Sequence, residues 1–323
     1  MSTLSENDPQ KHAVIDAINL ALKSAQNKSR RAGIGWAILD DQGSLLTHGS
    51  IIAGIETERP SLSVARYQNT IHHLILTTEP SPGFFSASSL IKQLSASSCS
   101  KITIAHRLDD DVVDAQWREW TEAAQDKFDY RQVCGIAQSL CAGIVKVRRE
   151  QRPWVTVVSA ADLERQSKPL INMIEEFGFK AYLSNLVGQN RAYLVEPHQV
   201  EILEHLPEDN NMEELIEIYE LPDIRTTQTL LNYCATENRG SVLLSCSLDF
   251  LEQLVEADLA DEIIHHIDID TTQGPAKIEA PLCINLESWS LISSSAVGTA
   301  IRMRFKKKDD IAEPYSILGN GFN

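Results

Sequence analysis

Apolar residues in the first half of the chain alternate between helical and strand-like spacing. Residues 11–29 carry apolar side chains at helical intervals, which predicts an amphipathic helix. Residues 33–40 form an apolar run that predicts a buried strand, and a turn at 41–43 connects it to a partner strand at 44–49. The other elements predicted for this half are strands at 71–76 and 100–105, a helix that begins near Ala87, and helices at 113–125 and 136–149. This order predicts an α/β domain.

The second half begins with a further apolar strand, near Arg152. Residues 180–183 are also predicted to form a strand. The later predicted elements are a helix at 226–237, a strand at 240–244, a helix and a strand within 250–264, and strands at 289–295 and 299–305. The sequence therefore predicts two domains, at residues 1–149 and 150–308, and a polar tail at 309–323.

The length and composition of the chain are those of a globular protein with two domains of ordinary size. Hydrophobic residues make up 43% of its 323 residues, which is enough to bury a core in each half. The formal net charge is −16, because 45 Asp and Glu outnumber 29 Lys and Arg. Like charges repel at long range, so outside a local basic patch we expect no binding to nucleic acid or to an anionic membrane.

The N-terminus and the cysteine spacing are typical of a cytoplasmic protein. The first residues are polar and acidic and lack the apolar core of a signal peptide. No run of about 18 apolar residues is present, so no membrane span is expected. The six cysteines are scattered without a Cys-x-x-Cys pair, and we expect them to be reduced and mostly buried.

The segment from Thr77 to Ile91 has the pattern of a strand, a turn and a helix, with Thr-Glu-Pro at the turn. It resembles the second metal-binding segment of the zinc-dependent cytidine-deaminase-like fold, in which Thr-Leu-Glu-Pro-Cys supplies one thiolate and a second Cys precedes the helix. Here Ser81 stands at the position of the first Cys, and Ser86 at about the position of the second. A serine hydroxyl stays protonated at neutral pH and cannot replace a thiolate on Zn²⁺.

Residues 60–65 best fit the first metal-binding motif of that fold, Pro-His-Ala-Glu, in which His ligates zinc and Glu shuttles protons to the attacked base. The resemblance puts Ser61 at the ligand position and Ser63 at the acid/base position. The nearby His72 and His73 cannot chelate one ion together, because adjacent strand residues point to opposite faces. We expect one of them in the core and one exposed, and we expect neither bound zinc nor zinc-hydroxide deamination.

Residues 153–165 read Pro-Trp-Val-Thr-Val-Val-Ser-Ala-Ala-Asp-Leu-Glu-Arg. They resemble the opening of the reductase half of the bifunctional riboflavin-biosynthesis deaminase–reductase proteins, Pro-x-Val-Thr-Leu-Lys-x-Ala-x-Ser-Leu-Asp-Gly. The departures are Val158 for Lys, Asp162 for Ser, Glu164 for Asp and Arg165 for Gly. An arginine in place of that glycine closes space and disfavours a positive φ, so we expect no intact substrate loop. Most of the pocket-building stretch that follows in the family is also missing.

The strand at 240–244 leads into Ser245, Cys246 and Ser247. In the family that it resembles, this strand ends in Val-Glu-Gly-Gly, and the glycines let backbone amides approach the cofactor phosphates. Side chains stand where that close approach is required, so we expect no phosphate cradle here. Cys246 also has the position of a nucleophile at a strand-to-helix turn, but the sequence places no His, Asn or Asp to activate it.

Residues 250–264 carry the most specific resemblance, because they match the family pattern Leu-x-x-Ala-Gly-Leu-Val-Asp-Glu. These residues are structural, and in the family this strand contributes to dimerisation. The resemblance covers roughly residues 11–308 and implies an α/β fold class with two three-layer α/β domains, cytidine-deaminase-like and then dihydrofolate-reductase-like. It also implies a homodimer through the reductase-like half, or a mixed dimer with an active relative.

Three further clusters have two interpretations each. Trp117 and Trp120 share a helix face and are expected in the core, with a partner surface as the alternative. The acidic residues between 196 and 220 are expected to be a solvated loop and helix face, with a divalent-cation site as the alternative. A basic cluster at the junction of the halves is expected to be a solvated helix end rather than an anion site. This cluster consists of Lys146, Arg148, Arg149 and Arg152.

Both resembled sites lack their chemical residues, so we expect a catalytically inactive relative of the deaminase–reductase that binds a partner protein or a small ligand. The alternative is an NADPH-dependent reductase of a ribosylaminopyrimidine or a related metabolite. That enzyme needs cationic groups for the phosphates of NADPH, and the candidates are Arg191, Arg225 and Arg239. The sequence leaves the identity of the ligand and of the partner open.

Overall fold

A computed structural model describes most of the chain, which divides into two compact units. The described residues are 9–28, 31–52, 54, 59–130, 134–162, 164, 166–173, 179–190, 192–197, 199, 201, 217–221, 223–269, 288–297 and 300–308. Within them, the first unit ends at Glu150 and the second begins at Gln151. No helix in these ranges is long and apolar enough to cross a membrane.

The first unit is built on a five-stranded sheet. Its described elements are α1 (Pro9–Lys28), β1 (Gly33–Leu39), β2 (Leu45–Ile52), α2 (Arg59–Arg66), β3 (His73–Leu76), α3 (Ala87–Ser95), β4 (Lys101–Ile104), α4 (Ala115–Ala123), β5 (Phe128–Tyr130) and α5 (Cys134–Glu150). The strand order is β2-β1-β3-β4-β5, with β3, β4 and β5 parallel and the others antiparallel. The patterns predicted every one of these strands except β5, which is too short to show a period.

Both faces of this sheet are buried. Ala37 and Leu39 of β1 lie in one apolar cluster with side chains of α1 and α5. Trp36 and Ile38 alternate to the opposite face and are buried there as well. Helix α3 packs against α2 and against α4. None of these three helices contributes a residue to the cluster of α1 and α5. The predicted three-layer arrangement is confirmed for this unit.

The second unit is built on a seven-stranded sheet. Its described elements are β6 (Trp154–Asp162), α6 (Phe179–Gly188), β7 (Ala192–Val195), β8 (Glu217–Glu220), α7 (Ile224–Thr236), β9 (Ser241–Ser245), α8 (Leu248–Glu256), β10 (Glu262–Asp268), β11 (Trp289–Val297) and β12 (Ala300–Lys307). The strand order is β11-β12-β10-β6-β9-β7-β8. Five neighbouring strands of this sheet are parallel, namely β10, β6, β9, β7 and β8. At one edge, β12 pairs antiparallel with β10, and β11 pairs antiparallel with β12.

Helices cover both faces of the second sheet. One apolar cluster joins α7 and α8 to one face of β6, β9 and β10. The other joins α6 to the opposite face, through Phe179, Leu183, Leu186 and Val187. These buried positions recur at helical intervals, so the strand predicted at 180–183 was wrong. A window of four residues is too short to distinguish the period of a helix from that of a strand.

The basic cluster at the junction of the halves is only partly solvated. Arg152 is buried, and its guanidinium donates to both carboxylate oxygens of Asp261, at 2.6 and 2.8 Å. Lys146 is buried beside Glu150, 3.0 Å away. Arg149 is exposed and pairs with Asp109 and Asp111. The predicted solvated helix end was therefore wrong for Lys146 and Arg152, because carboxylates distant in sequence or one turn away neutralise them.

Candidate functional site

Ser81 and Ser86 both lie in the connection between β3 and α3, Ser81 near its middle and Ser86 directly before the helix. Ser81 is fully buried, and its hydroxyl donates a hydrogen bond to the backbone oxygen of Val112 at 2.7 Å. Ser86 is the N-cap residue of α3, where its Oγ accepts from the backbone N–H of Ser89 at 3.4 Å. Both hydroxyls therefore already perform structural roles that suit serine.

Ser61 and Ser63 lie on α2, one turn from its start. Ser61 is buried, and its hydroxyl has no hydrogen-bond partner among the described residues. Ser63 is half-buried on the same short helix. The helices α2 and α3 pack against each other, and the backbone N–H of Gly54 donates to Phe84 O at 2.9 Å. The chain thus brings the two serine-bearing segments together, although no hydrogen bond of the described residues joins the serines themselves.

The Thr-Glu-Pro turn has a structural function. Thr77 Oγ1 accepts from the backbone N–H of Gly35 at 2.9 Å, and Glu79 Oε2 accepts from that of Leu108 at 2.8 Å. These bonds connect the end of β3 to β1 and to the loop after β4, so hydrogen bonds of the protein itself hold the turn in place. The two histidines of this region also follow the prediction, since His73 is buried and His72 is exposed.

The donor set of this region does not fit zinc. Each resembled ligand position carries a serine, and the Ser81 hydroxyl uses its proton in the bond to Val112 O. Zinc in proteins is bound by thiolate, imidazole or carboxylate. Among the described residues, no group of three or more His, Cys, Asp and Glu side chains is placed to hold a metal ion.

Two shallow surface depressions lie beside these helices. One, of about 550 Å³, lies between the Pro82–Ala87 turn and the start of α4, and its lining includes Ser86 but not Ser61, Ser63 or Ser81. The other, of about 480 Å³, lies between α3 and α4 and is lined by Ile91 and Trp120. Trp117 is fully buried as predicted, whereas Trp120 is half-buried and contributes to both a core contact and this surface.

The resembled reductase positions lie within β6 and directly after it, and the contacts of Val158 and Asp162 are structural. Val158 is fully buried in the cluster with α6, and its backbone oxygen accepts from Cys246 N at 3.1 Å. Asp162 Oδ1 accepts from the backbone N–H groups of Glu164 and Gln166, at 3.0 and 2.8 Å. Glu164 is exposed on this local turn. The predicted departure Arg165 lies outside the described residues.

Ser245 and Cys246 are closed off from solvent at the end of β9. Both are fully buried, and the Ser245 hydroxyl lies 2.6 Å from the hydroxyl of Tyr193. Burial raises the pKa of the Cys246 thiol well above its ordinary value, and the Glu196 carboxylate raises it further. A nucleophilic cysteine needs a lowered pKa and access to substrate. Cys246 has neither, so its interpretation as a core thiol is favoured.

The start of α8 is occupied by the protein's own polar groups. The carboxylate of Glu196, which follows β7, accepts from the backbone N–H and the hydroxyl of Ser247, at 2.7 and 2.9 Å. The next backbone N–H, of Leu248, donates to Ser167 Oγ at 2.8 Å, and that of Phe250 donates to Ser247 Oγ at 3.2 Å. Free N–H groups at a helix start are what binds a phosphate. Here Glu196 holds that position, so the residues do not fit the phosphates of NADPH.

Of the three cations proposed for NADPH, the structure describes Arg225 and Arg239. Arg239 is buried and lies 5.6 Å from the ring centre of Tyr233, and Arg225 is exposed at the start of α7. Arg191 lies outside the described residues. In the acidic stretch at 196–220, the carboxylate of Glu196 is bound at the start of α8 and Glu201 is exposed. Most of the other acidic residues of this stretch lie outside the described residues. The sequence did not single out Glu196, because its role depends on β7 and β9 being neighbours.

The four cysteines whose side chains the structure describes are all free thiols in the core. They are Cys99, Cys141, Cys234 and Cys246. The prediction of reduced, buried cysteines is confirmed for these four, and the side chains of Cys134 and Cys283 lie outside the described residues.

Two solved structures are similar to the chain over most of its length. One is a diaminohydroxyphosphoribosylaminopyrimidine deaminase/5-amino-6-(5-phosphoribosylamino)uracil reductase from Thermotoga maritima, with 13% identity and a TM-score of 0.62 over 92% of this chain and 99% of that chain. The other is RibD from Acinetobacter baumannii, with 14% identity and a TM-score of 0.62 over 93% of this chain and 99% of that chain. No family model matches the sequence, and no curated protein matches it.

The predicted resemblance is thus confirmed at the level of the fold. A similarity at such low identity carries the architecture and not the activity, because activity depends on the residues of the site. The chain has the fold of the deaminase/reductase structures, with a five-stranded first unit and a seven-stranded second unit.

Proposed function

We propose that the protein is a catalytically inactive relative of the riboflavin-pathway deaminase–reductase, which acts by binding a small ligand or a partner protein. The observation that carries the proposal is the position of Glu196, whose carboxylate accepts two hydrogen bonds from Ser247 at the start of α8. A phosphate that binds there must displace this carboxylate, which is also negatively charged and already occupies the N–H of Ser247. The serines at the resembled zinc positions support the same conclusion for the first unit, and we expect no zinc and no NADPH as cofactor.

The second candidate is an NADPH-dependent reductase of a ribosylaminopyrimidine or a related metabolite in riboflavin biosynthesis. It is favoured by the similarity of the fold to structures described as deaminase/reductases. In this candidate the cofactor binds without the N-terminus of α8.

Titration of the purified chain with NADPH, followed by tryptophan fluorescence, separates these two candidates. We expect no saturable binding up to millimolar NADPH, because Glu196 and Ser167 hold the amides of α8. Saturable binding at micromolar NADPH would contradict the proposal and favour the reductase.

A matched pair of variants tests the reason for that result. Glu196→Gln removes the negative charge at α8, and Glu201→Gln removes one from an exposed glutamate nearby in sequence. If the carboxylate excludes phosphate, only Glu196→Gln gains measurable NADPH binding. Equal behaviour of the two variants would show that the charge of Glu196 is not the reason.

We further propose that the chain forms a dimer through β11, with a second copy or with an active relative as the partner. β11 is an edge strand of the second sheet, and its Leu291 and Ile292 are 49% and 44% exposed. An exposed apolar edge strand is a ready surface for pairing with another chain. We expect sedimentation to give a dimer for the native chain and a monomer for Ile292→Lys. A native monomer that also fails to co-purify with an active homologue would contradict this proposal.

A further inference from the structure

Three polar side chains form a row across β11, β12 and β10. Ser295, Arg302 and His266 are directly opposite one another in the antiparallel register, and directly opposed residues share a face of the sheet. This face is the one that α6 covers, because His266 and Arg302 both contact rings of that helix. The row lies on strands that neither resembled active site uses.

Arg302 is a positioned cation without a carboxylate partner among the described residues. Its guanidinium lies over the ring of Tyr182, with Cζ 3.9 Å from the ring centre. Arg304, two residues further along the strand, pairs with Glu262 instead. A guanidinium held against an aromatic ring keeps its N–H groups in one plane, ready for two parallel bonds to an oxyanion. Arg302 is half-exposed, so those groups are accessible.

His266 lies beneath this cation and is fully buried. Its ring contacts those of Phe179 and Tyr182, with centres 5.1 and 6.3 Å apart, and neither ring nitrogen has a hydrogen-bond partner in the described part of the chain. Burial, and then the neighbouring charges of Arg302 and His265, lower the pKa of His266 to about 3. The ring is therefore neutral at pH 7 and has one N–H donor to offer. A buried polar group without a hydrogen-bond partner destabilises the fold, so natural proteins retain few of them.

Ser295 completes the row on the solvent side. It is exposed on β11, and none of the hydrogen bonds that the structure shows involves its hydroxyl. The row thus combines a hydroxyl, a stacked guanidinium and a neutral imidazole, each with a free donor and all in register.

We propose that this row binds the oxyanion group, phosphate or carboxylate, of a small ligand. Arg302 donates two hydrogen bonds to it, the hydroxyl of Ser295 donates a third, and the neutral ring of His266 offers an N–H donor at the buried end of the row. The site lies outside the positions of zinc and NADPH considered above. This proposal does not depend on whether the chain retains reductase activity.

The test is calorimetric titration of the full chain with inorganic phosphate, and separately with acetate, at ionic strength held constant with sodium chloride. We expect saturable phosphate binding in the millimolar range or tighter. Arg302→Gln should weaken it at least about tenfold, the loss expected for one charge-assisted pair. Tighter binding of phosphate than of acetate assigns the ligand group as phosphoryl, and the reverse assigns it as carboxylate.

Further variants keep the test decisive. Arg66→Gln removes the charge of an exposed arginine at the end of α2 and should bind phosphate as the native chain does. Arg302→Lys keeps the charge but loses the flat pair of donors, so we expect an intermediate affinity. Ser295→Ala, on an exposed edge strand, should weaken binding a few-fold without affecting folding. The proposal is overturned if the native chain shows no saturable binding of either phosphate or acetate, or if Arg302→Gln and Ser295→Ala bind the preferred anion as tightly as Arg66→Gln.

Discussion

Replacing Asp261 with alanine is expected to lower the free energy of unfolding of the second unit by about 3–5 kcal/mol. The side chain of Asp261 is fully buried before β10. Its carboxylate accepts from two nitrogens of Arg152, at 2.6 and 2.8 Å, and from the backbone N–H of Val155 at 2.8 Å. Removing it takes both carboxylate hydrogen bonds from the buried Arg152 guanidinium and the acceptor from the N–H of Val155, which costs more than the pair itself contributes.

Urea unfolding of the full chain, followed separately by a probe of each unit, measures this effect. The control is Asp109→Ala, which removes one exposed partner of Arg149 and leaves the other, Asp111. Exposed pairs contribute about 0–1 kcal/mol, so the control should unfold almost as the native chain does. Similar losses in both variants would contradict the assignment of Arg152 and Asp261 as a buried pair that connects β6 to β10.

A double variant tests the physical reason. Arg152→Met combined with Asp261→Leu removes both charges together. Replacing a buried ion pair by apolar residues is often nearly neutral. We expect this double variant to be more stable than Asp261→Ala, with incomplete recovery because the N–H of Val155 still lacks its acceptor.

Replacing Gly35 with alanine is expected to destabilise the first unit by about 3 kcal/mol. A Cβ at this position of β1 lies 2.1 Å from the backbone oxygen of Ala21 and 2.8 Å from its carbonyl carbon. Those atoms belong to the backbone of α1, so no side-chain rotation relieves the clash. The helix must move away from the sheet, and the tight core between α1 and β1 loosens with it.

Gly188→Ala is the matched control for this substitution. Gly188 is the last residue of α6, and a Cβ there meets nothing within 4 Å. Alanine is a better helix former than glycine by about 1 kcal/mol, so this variant should be neutral or slightly more stable. Calorimetric melting of both variants checks the contrast. A Gly35→Ala chain that melts at the native temperature would show that α1 does not approach β1 so closely.

Local patterns determined most of the elements of this protein. The β1–β2 hairpin, the strand β9, and the succession of α8 and β10 each extend over enough residues to show a period. Residue chemistry alone also led to the expectation that the resembled positions of the first unit do not bind zinc, because zinc in proteins is bound by thiolate, imidazole or carboxylate. The fold resemblance followed from the order of these elements and from framework residues such as Thr77 and Glu79, which bind the backbone of other segments.

Tertiary structure decided the features that depend on residues distant in the sequence. Arg152 looked solvated until Asp261, 109 residues away, was found beside it. Glu196 looked like one of many surface carboxylates, and only the pairing of β7 with β9 brings it to Ser247. The row of Ser295, Arg302 and His266 exists because β12 lies between β11 and β10. A sequence specifies which groups are available, but the strand order specifies which of them meet, because charges and hydrogen bonds act only between near neighbours in space.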